Sequence, residues 1–309
     1  METKLDLSVE IKTKWIEKFI RFIESDGCSE LTRKAYRQDI NHFANWFEQQ
    51  NGQEFTPDLI TSIDLRAYRE AHLKINAAPA SFNRRRATLK RLCSWSIDHG
   101  YLSYDPFQGV DPLDQIEPPP RWLSNNEYHR FIRQMELAVN GAQTDHWRWQ
   151  AVRDQAIVAL MLYAGLREFE ICALNVEDIQ IGERKGRVII WQGKGKKKRE
   201  VPLSIETRRA LLLWIEVAQR DKGTLFLGKG GNRISTRLVQ KRVEAIRRAA
   251  DLDSDVTPHA LRHTFAKRLL DAGNPLTVVS KLLGHSRLDT TARYVQPGWS
   301  DFENAVERI

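Results

Sequence analysis

The sequence predicts a mainly helical protein in two domains, with one small antiparallel sheet in the second. Three observations lead there. Apolar residues recur at helical spacing along most of the chain, between recognisable caps. A proline-rich segment, DPLDQIEPPP at 111–120, interrupts that pattern. One glycine-punctuated stretch, GRVIIWQGKGKKKREVPL, alternates as a hairpin does.

In the first domain, over 1–110, Trp15, Phe19, Phe22 and Ile23 follow helical spacing, and Tyr36, Ile40, Phe43 and Phe47 repeat it. A third helix is expected to open at Thr56-Pro57, with Asp58 in its first turn, and a fourth to run from Ser81 to Gly100. That fourth helix crowds Arg84, Arg85, Arg86, Lys90 and Arg91 into its first turns while Leu89, Leu92 and Cys93 face a core. Such a face suits a phosphate backbone, and equally a solvated charged surface.

Three consecutive prolines exclude a helix, so 111–120 reads as an interdomain linker. Beyond it a helix opens at Ser124, with Glu127 completing a capping box. The stretch NGAQTDHWRWQ at 140–150 reads as a loop, followed by an apolar helix from Ala151 to Ala164 that turns at Gly165. Arg167 follows at once, with Glu170 three residues on and within pairing reach. The hairpin comes next, its strands near 187–191 and through Val201, and its turn holding Lys194, Lys196, Lys197 and Lys198. Of these Lys194, framed by two glycines, is the first candidate for chemistry and Lys196 the second. A short strand, LFLG at 225–228, and a basic helix at 236–250 carrying Arg237 and Lys241 precede the last segment.

That segment, 257–295, sets His259, Arg262, His285 and Tyr294 on or beside three short helices. The first is capped by Thr257 before Pro258 and ends at Gly273; the second ends at Gly284; the third starts at Asp289 or Thr290 and would carry Tyr294. Hydrogen-bond donors and proton acceptors on rigid elements near helix ends suit the holding of a phosphate. His259 and His263 also have the spacing of zinc ligands in a protease helix, but that motif needs Glu where Ala260 stands.

The chain of 309 residues carries a net charge of +8, which favours a polyanionic partner. The excess lies mostly after residue 110: 16 basic against 15 acidic residues before it, 32 against 25 after. Three scattered cysteines, Cys28, Cys93 and Cys172, read as buried thiols in a reducing compartment. The N-terminus has no apolar run, and the longest one, AIVALMLYAGL, is too short to span a bilayer. A soluble, cytoplasmic protein is expected.

In order, AGLREFE at 164–170, the GKGKKKREVPL hairpin, HALRH at 259–263, LGH at 283–285 and Tyr294 nine residues later resemble the tyrosine recombinase and phage integrase family, in its two-domain Xer-like form. The resemblance implies a helical, SAM-like core-binding domain followed by an α+β catalytic domain at 121–309. It implies a site-specific recombinase that cuts and rejoins DNA through a 3′-phosphotyrosine link, for integration, excision or resolution, with no cofactor, metal or ATP. It casts Tyr294 as nucleophile, Arg167, Arg262 and His285 as holders of the phosphate oxygens, Lys194 as acid to the leaving 5′-oxygen, His259 as helper in proton transfer, and Glu170 as their acidic support. A tyrosine of pKa about 10 is ionised only about one part in a thousand at pH 7, roughly 4 kcal/mol that neighbouring cations must help to offset. The implied partners are double-stranded DNA with inverted-repeat core sites and three further protomers, of this chain or a related recombinase. Arg84, Arg85, Arg86, Lys90, Arg91, Lys196, Lys197, Lys198, Arg237 and Lys241 are the expected DNA contacts. The last residues, SDFENAVERI, can form a helix with Phe302, Ala305, Val306 and Ile309 on one side, expected to dock on a neighbouring protomer. Two alternatives share some of these parts: a DNA-binding regulator without strand cleavage, and a relaxing enzyme of the type IB topoisomerase kind.

Overall fold

Caps decide where the helices of the first unit begin. In the computed structural model, which describes residues 15–115, 119–192, 197–284, 289–294 and 306–307, a helix over 15–25 (α1) leads to α2 (Glu30–Asn51). Ser29 caps α2 by accepting from the Thr32 N–H at 3.1 Å, and Gly52 ends it in the left-handed conformation at φ 66°. The expected helix at Thr56-Pro57 is only a 3₁₀ turn, Pro57–Leu59. Its successor α3 (Ser62–Lys74) starts later because Thr61 and Asp64 form a reciprocal capping box. Proline at the first position starts α4 (Pro79–Asp98) two residues before Ser81.

These helices close over an aromatic core in which Phe43 meets Tyr68 and Phe55 edge-on, at 5.0 and 5.2 Å between centroids. Part of the segment expected as a linker belongs to this core. Leu113 is buried, and its backbone N–H and carbonyl are both bound by the Asn83 amide at 2.8 Å. The chain divides between Glu117 and Pro118.

In the second unit, the Ser124 and Glu127 box caps α5 (Asn125–Asn140). The expected loop at 140–150 is mostly helix: Thr144 caps α6 (Asp145–Ala164), so only 141–144 turn. The tryptophans there are structural in part, since Trp149 packs on Trp214 at 5.0 Å from across the chain. α6 is the central helix; eleven of its residues are buried, which explains its unbroken apolar run.

After α7 (Glu168–Ala173), the sheet runs in order β1 (Ile179–Ile181), β2 (Gly186–Gln192) and β3 (Lys197–Pro202), all antiparallel, with Val188 opposite Val201. The strand β1 completes the hairpin into a sheet and went unforeseen. The segment LFLG makes no strand; Leu225 and Phe226 are fully buried, and the neighbourhood forms only two isolated bridges. Helices α8 (Ile205–Ala218), α9 (Thr236–Ala249), α10 (Pro258–Asp271), α11 (Leu276–Leu283) and α12 (Asp289–Ala292) follow. Among the described residues no helix is long and apolar enough to cross a membrane.

Candidate active site

The turn after α6 is where the site begins. Gly165 takes φ 63° to end the helix, and it must be glycine: a Cβ there would fall 2.4 Å from the Phe265 ring. Two residues later Arg167 caps α7, its backbone N–H donating to Glu170 Oε2 at 2.8 Å and its Nη1 to Oε1 at 3.1 Å. Glu170 is buried, and Arg199 from β3 grips both its oxygens, Nη1 to Oε1 and Nη2 to Oε2, each at 2.8 Å. Arg262 Nη1 stands 3.9 Å from Oε2. Burial pushes the Glu170 carboxyl up, but the Arg199 bonds and the Arg167 N–H outweigh it and hold the group below the usual carboxylate range. One anion therefore organises three guanidinium groups.

Arg262 also ties two helix ends together. Its Nη1 donates to the Gly165 carbonyl and its Nη2 to the Leu283 carbonyl at 2.7 Å. Carbonyls at helix C-termini lack partners within the helix and carry partial negative charge, so a buried cation belongs there. Burial, and then the charge of Arg167, bring the Arg262 pKa down to about 10, which leaves it charged at neutral pH.

Tyr294 lies two residues past the end of α12, not on it, with its ring buried among Phe265, Ala266, Val279 and Leu283. Its hydroxyl is hydrogen-bonded to Nδ1 of His263, one turn along α10 from His259. Burial, followed by the charges of His259, Arg262 and Arg293, brings the His263 pKa down to about 4, so the ring is neutral and able to accept a proton. Burial raises the Tyr294 pKa above its ordinary value, against the pull of Arg262, Arg293 and Arg167. His259, expected to serve the tyrosine, is exposed and its ring lies 6.3 Å from that of His263. It lines a separate cavity of about 410 Å³ with Glu168, Gln240 and Arg247.

The structure thus brings together Arg167, Glu170, Arg262 and Tyr294, and adds Arg199 and His263, to which the sequence alone assigns no role. His263 stands within the HALRH motif, and Arg199 ends the lysine run, where one more cation draws no notice. Lys194, Lys196 and His285 lie outside the described residues, as does the C-terminal segment apart from Val306 and Glu307, both exposed. Among the described residues no group of three or more His, Cys, Asp or Glu is placed to hold a metal ion.

The basic groups expected on DNA divide into bound and unbound. Arg84 pairs with buried Asp39 at 2.6 Å, Arg85 meets His72 Nε2 at 2.6 Å, Arg86 donates to the Val110 carbonyl at 2.8 Å, and Arg91 pairs with Asp26. Lys90 is exposed. On the second unit Arg237 and Lys241 are exposed, and Lys198 lies 3.4 Å from Glu200.

The chain thus has a helical unit followed by a helical unit with a three-stranded sheet, and in the second a glutamate gathers arginines beside a buried tyrosine, an arrangement that favours an anion. Comparisons with known proteins supply the family. The model of the phage integrase family matches residues 121–298, and that of the phage integrase N-terminal SAM-like domain matches 16–100. Tyrosine recombinase XerC of Chromohalobacter salexigens is 31% identical over 297 residues, covering 95% of this chain and 94% of that protein. XerC of Mycobacterium bovis is 33% identical over 274 residues, covering 87% and 88%. The fold is shared with the XerH recombinase bound to difH, at TM-score 0.71 and 21% identity over 94% of this chain and 83% of that one. It is shared too with a lambda integrase dimer on a core site, at TM-score 0.67 and 18% identity over 91% and 94%.

The chain belongs to the phage integrase family. It is a site-specific tyrosine recombinase.

Proposed function

We propose that this recombinase cuts each DNA strand by attack of Tyr294 on the scissile phosphate, forming a 3′-phosphotyrosine link and freeing a 5′-hydroxyl. The 5′-hydroxyl of a partner strand then reverses the step, so one phosphodiester is exchanged for another and neither ATP nor a metal is needed. The observation that carries this reading is the Tyr294 hydroxyl held on neutral His263 beside the arginines gathered by Glu170. Arg167 and Arg262, with His285, stabilise charge on the non-bridging oxygens, and Lys194 protonates the leaving 5′-oxygen. His263 takes the phenolic proton, the part that the family resemblance gives to His259.

The 1–110 segment serves as core DNA-binding domain, with the first part of 111–120 packed on it and the rest as linker, and 121–309 serves as catalytic domain, acting in the cytoplasm as a tetramer on inverted-repeat core sites. Lys90, Arg84, Arg237, Lys241 and the hairpin lysines 196–198 bind the backbone of the duplex. The test uses duplexes selected by the protein from a random pool, nicked near the centre so that a short fragment diffuses away, and resolved on a denaturing gel in EDTA. A covalent protein–DNA band that Tyr294→Phe abolishes is the expected result. Tight binding without a band would leave a DNA-binding regulator, and a strict need for magnesium would overturn the metal-free mechanism.

A further inference from the structure

The residue of the hairpin that reaches the described part of the site is Arg199, the arginine beyond the lysines. It lies on β3 with 11% of its side chain exposed, between two other parts of the site. On one side its fork closes on both oxygens of Glu170. On the other it passes beneath Gly284, the residue before His285: a Cβ there would lie 2.9 to 3.0 Å from its Cδ, Nε and Cζ. Gly284 also takes φ 66°, so glycine is required twice over, by the backbone and by the arginine. The Nε of Arg199 is buried and, among the described residues, without a partner. So large a cation sealed beneath a turn needs a reason.

We infer that Arg199 is a positioning residue of the strand-cleaving site, one that keeps Glu170 in place as the support of Arg167 and fixes the turn from which His285 follows. The inference rests on the reading of Tyr294 as nucleophile. A buried carboxylate stays ionised only while charge-assisted bonds outweigh its burial. Among the described residues the charged groups facing Glu170 are Arg167 at the start of α7, Arg262 on α10 and Arg199 on β3, and of these Arg199 alone gives it two close side-chain bonds. A protonated Glu170 would have one oxygen turned donor and would release the Arg167 fork. Lysine cannot replace the grip, because a single ammonium cannot match two carboxylate oxygens in one plane.

The experiment uses the full chain in the nicked-duplex assay, with Arg199→Lys, Arg199→Ala and Glu170→Gln beside the unaltered protein and Tyr294→Phe. Arg199→Lys keeps the charge and the fold; it should slow formation of the covalent band about 10-fold while duplex affinity stays within about twofold. Arg199→Ala should slow it about 100-fold and add a new acid limb to the rate, which falls on acidification as Glu170 takes up a proton more readily than in the unaltered chain. That limb should be missing from Glu170→Gln combined with Arg199→Ala. A second measurement needs no catalysis: Gly284→Ala should lower the denaturation midpoint more in the unaltered chain than in Arg199→Ala, where the clash is gone. A Tyr294-dependent band whose rate and pH profile ignore both Arg199 substitutions would overturn this inference and leave the parent reading standing. So would an equal penalty for Gly284→Ala in the two backgrounds. Absence of any Tyr294-dependent band in the unaltered chain would overturn both.

Discussion

Each unit of this chain buries a carboxylate among arginines, Asp39 in the first and Glu170 in the second, and these two clusters are built to opposite ends. Asp39 in the first unit accepts from Arg84 at 2.6 Å and Thr88 at 2.9 Å, and Arg84 keeps 52% of its side chain in water. Arg85 stands 3.9 Å from the other oxygen of Asp39, and the cluster links α2 to α4 and ends at a wet surface. Glu170 in the second unit meets Arg167, Arg199 and Arg262, whose side chains are 27%, 11% and 5% exposed. Positive charge there exceeds negative charge and is shielded from solvent, so the surplus potential falls where an anion would enter. A cluster whose cations stand partly in water ties elements together; one that gathers three cations in a drier place is better prepared for an anion.

The largest effect should come from removing the two carboxylates. Glu170→Ala leaves Arg199 and Arg262 buried without their anion, and should cost about 3 to 5 kcal/mol in denaturant unfolding. Asp39→Ala frees an arginine that can turn to water and should cost about 2 kcal/mol. Equal costs would break the contrast, because they would make the Glu170 cluster an ordinary tie between elements.

Acid should sharpen it further. The pKa of His263 is about 4 in the folded chain against an ordinary 6.5, so below pH 6.5 the unfolded chain takes up a proton that the folded one refuses. Stability present above pH 6.5 is therefore lost as the pH falls toward 4, by about 3 kcal/mol at most, and this contribution is flat below that. His42 and His72 in the first unit are also lowered by burial and add loss of the same sign. The difference between the unaltered chain and His263→Gln isolates the active-site share. Parallel unfolding curves from pH 7 to 4 in the two proteins would show that His263 is not held neutral beside Tyr294.

Much of this was legible in the sequence where the signal is local. The box of Ser124 and Glu127, the cap of Thr257 before Pro258 and the glycine after Leu283 mark helix ends within four residues. Arg167 and Glu170 were readable for the same reason, being three apart. What failed depends on partners far along the chain. Trp149 reads as loop because the residue on which it packs, Trp214, is remote in sequence. Arg199 finds Glu170 across 29 residues and His263 finds Tyr294 across 31, and neither pairing follows from spacing. The arginines of α4 were counted as a face, yet their partners Asp39, His72 and Val110 come from other parts of the unit.

That last miscount leads to the smallest effect. If the charge of α4 mainly braces its own unit, substitutions along it should separate stability from DNA affinity. Arg86 donates to the Val110 carbonyl and lies over the Phe107 ring at 5.4 Å, so Arg86→Ala should cost about 1 kcal/mol of stability by removing that hydrogen bond and the packing on the ring. Lys90 is exposed, and Lys90→Ala should leave stability within about 0.5 kcal/mol. Its mark should fall on binding instead: with one cation fewer on the phosphates, the slope of log affinity against log salt should shrink by about one. Titrating a duplex at several salt concentrations reads that slope, and unfolding of the same variants reads the other axis. Should Arg86→Ala change the slope and Lys90→Ala leave it alone, the arginines held inside the first unit would be its DNA contacts after all, reaching phosphate with the donors that their internal partners leave free.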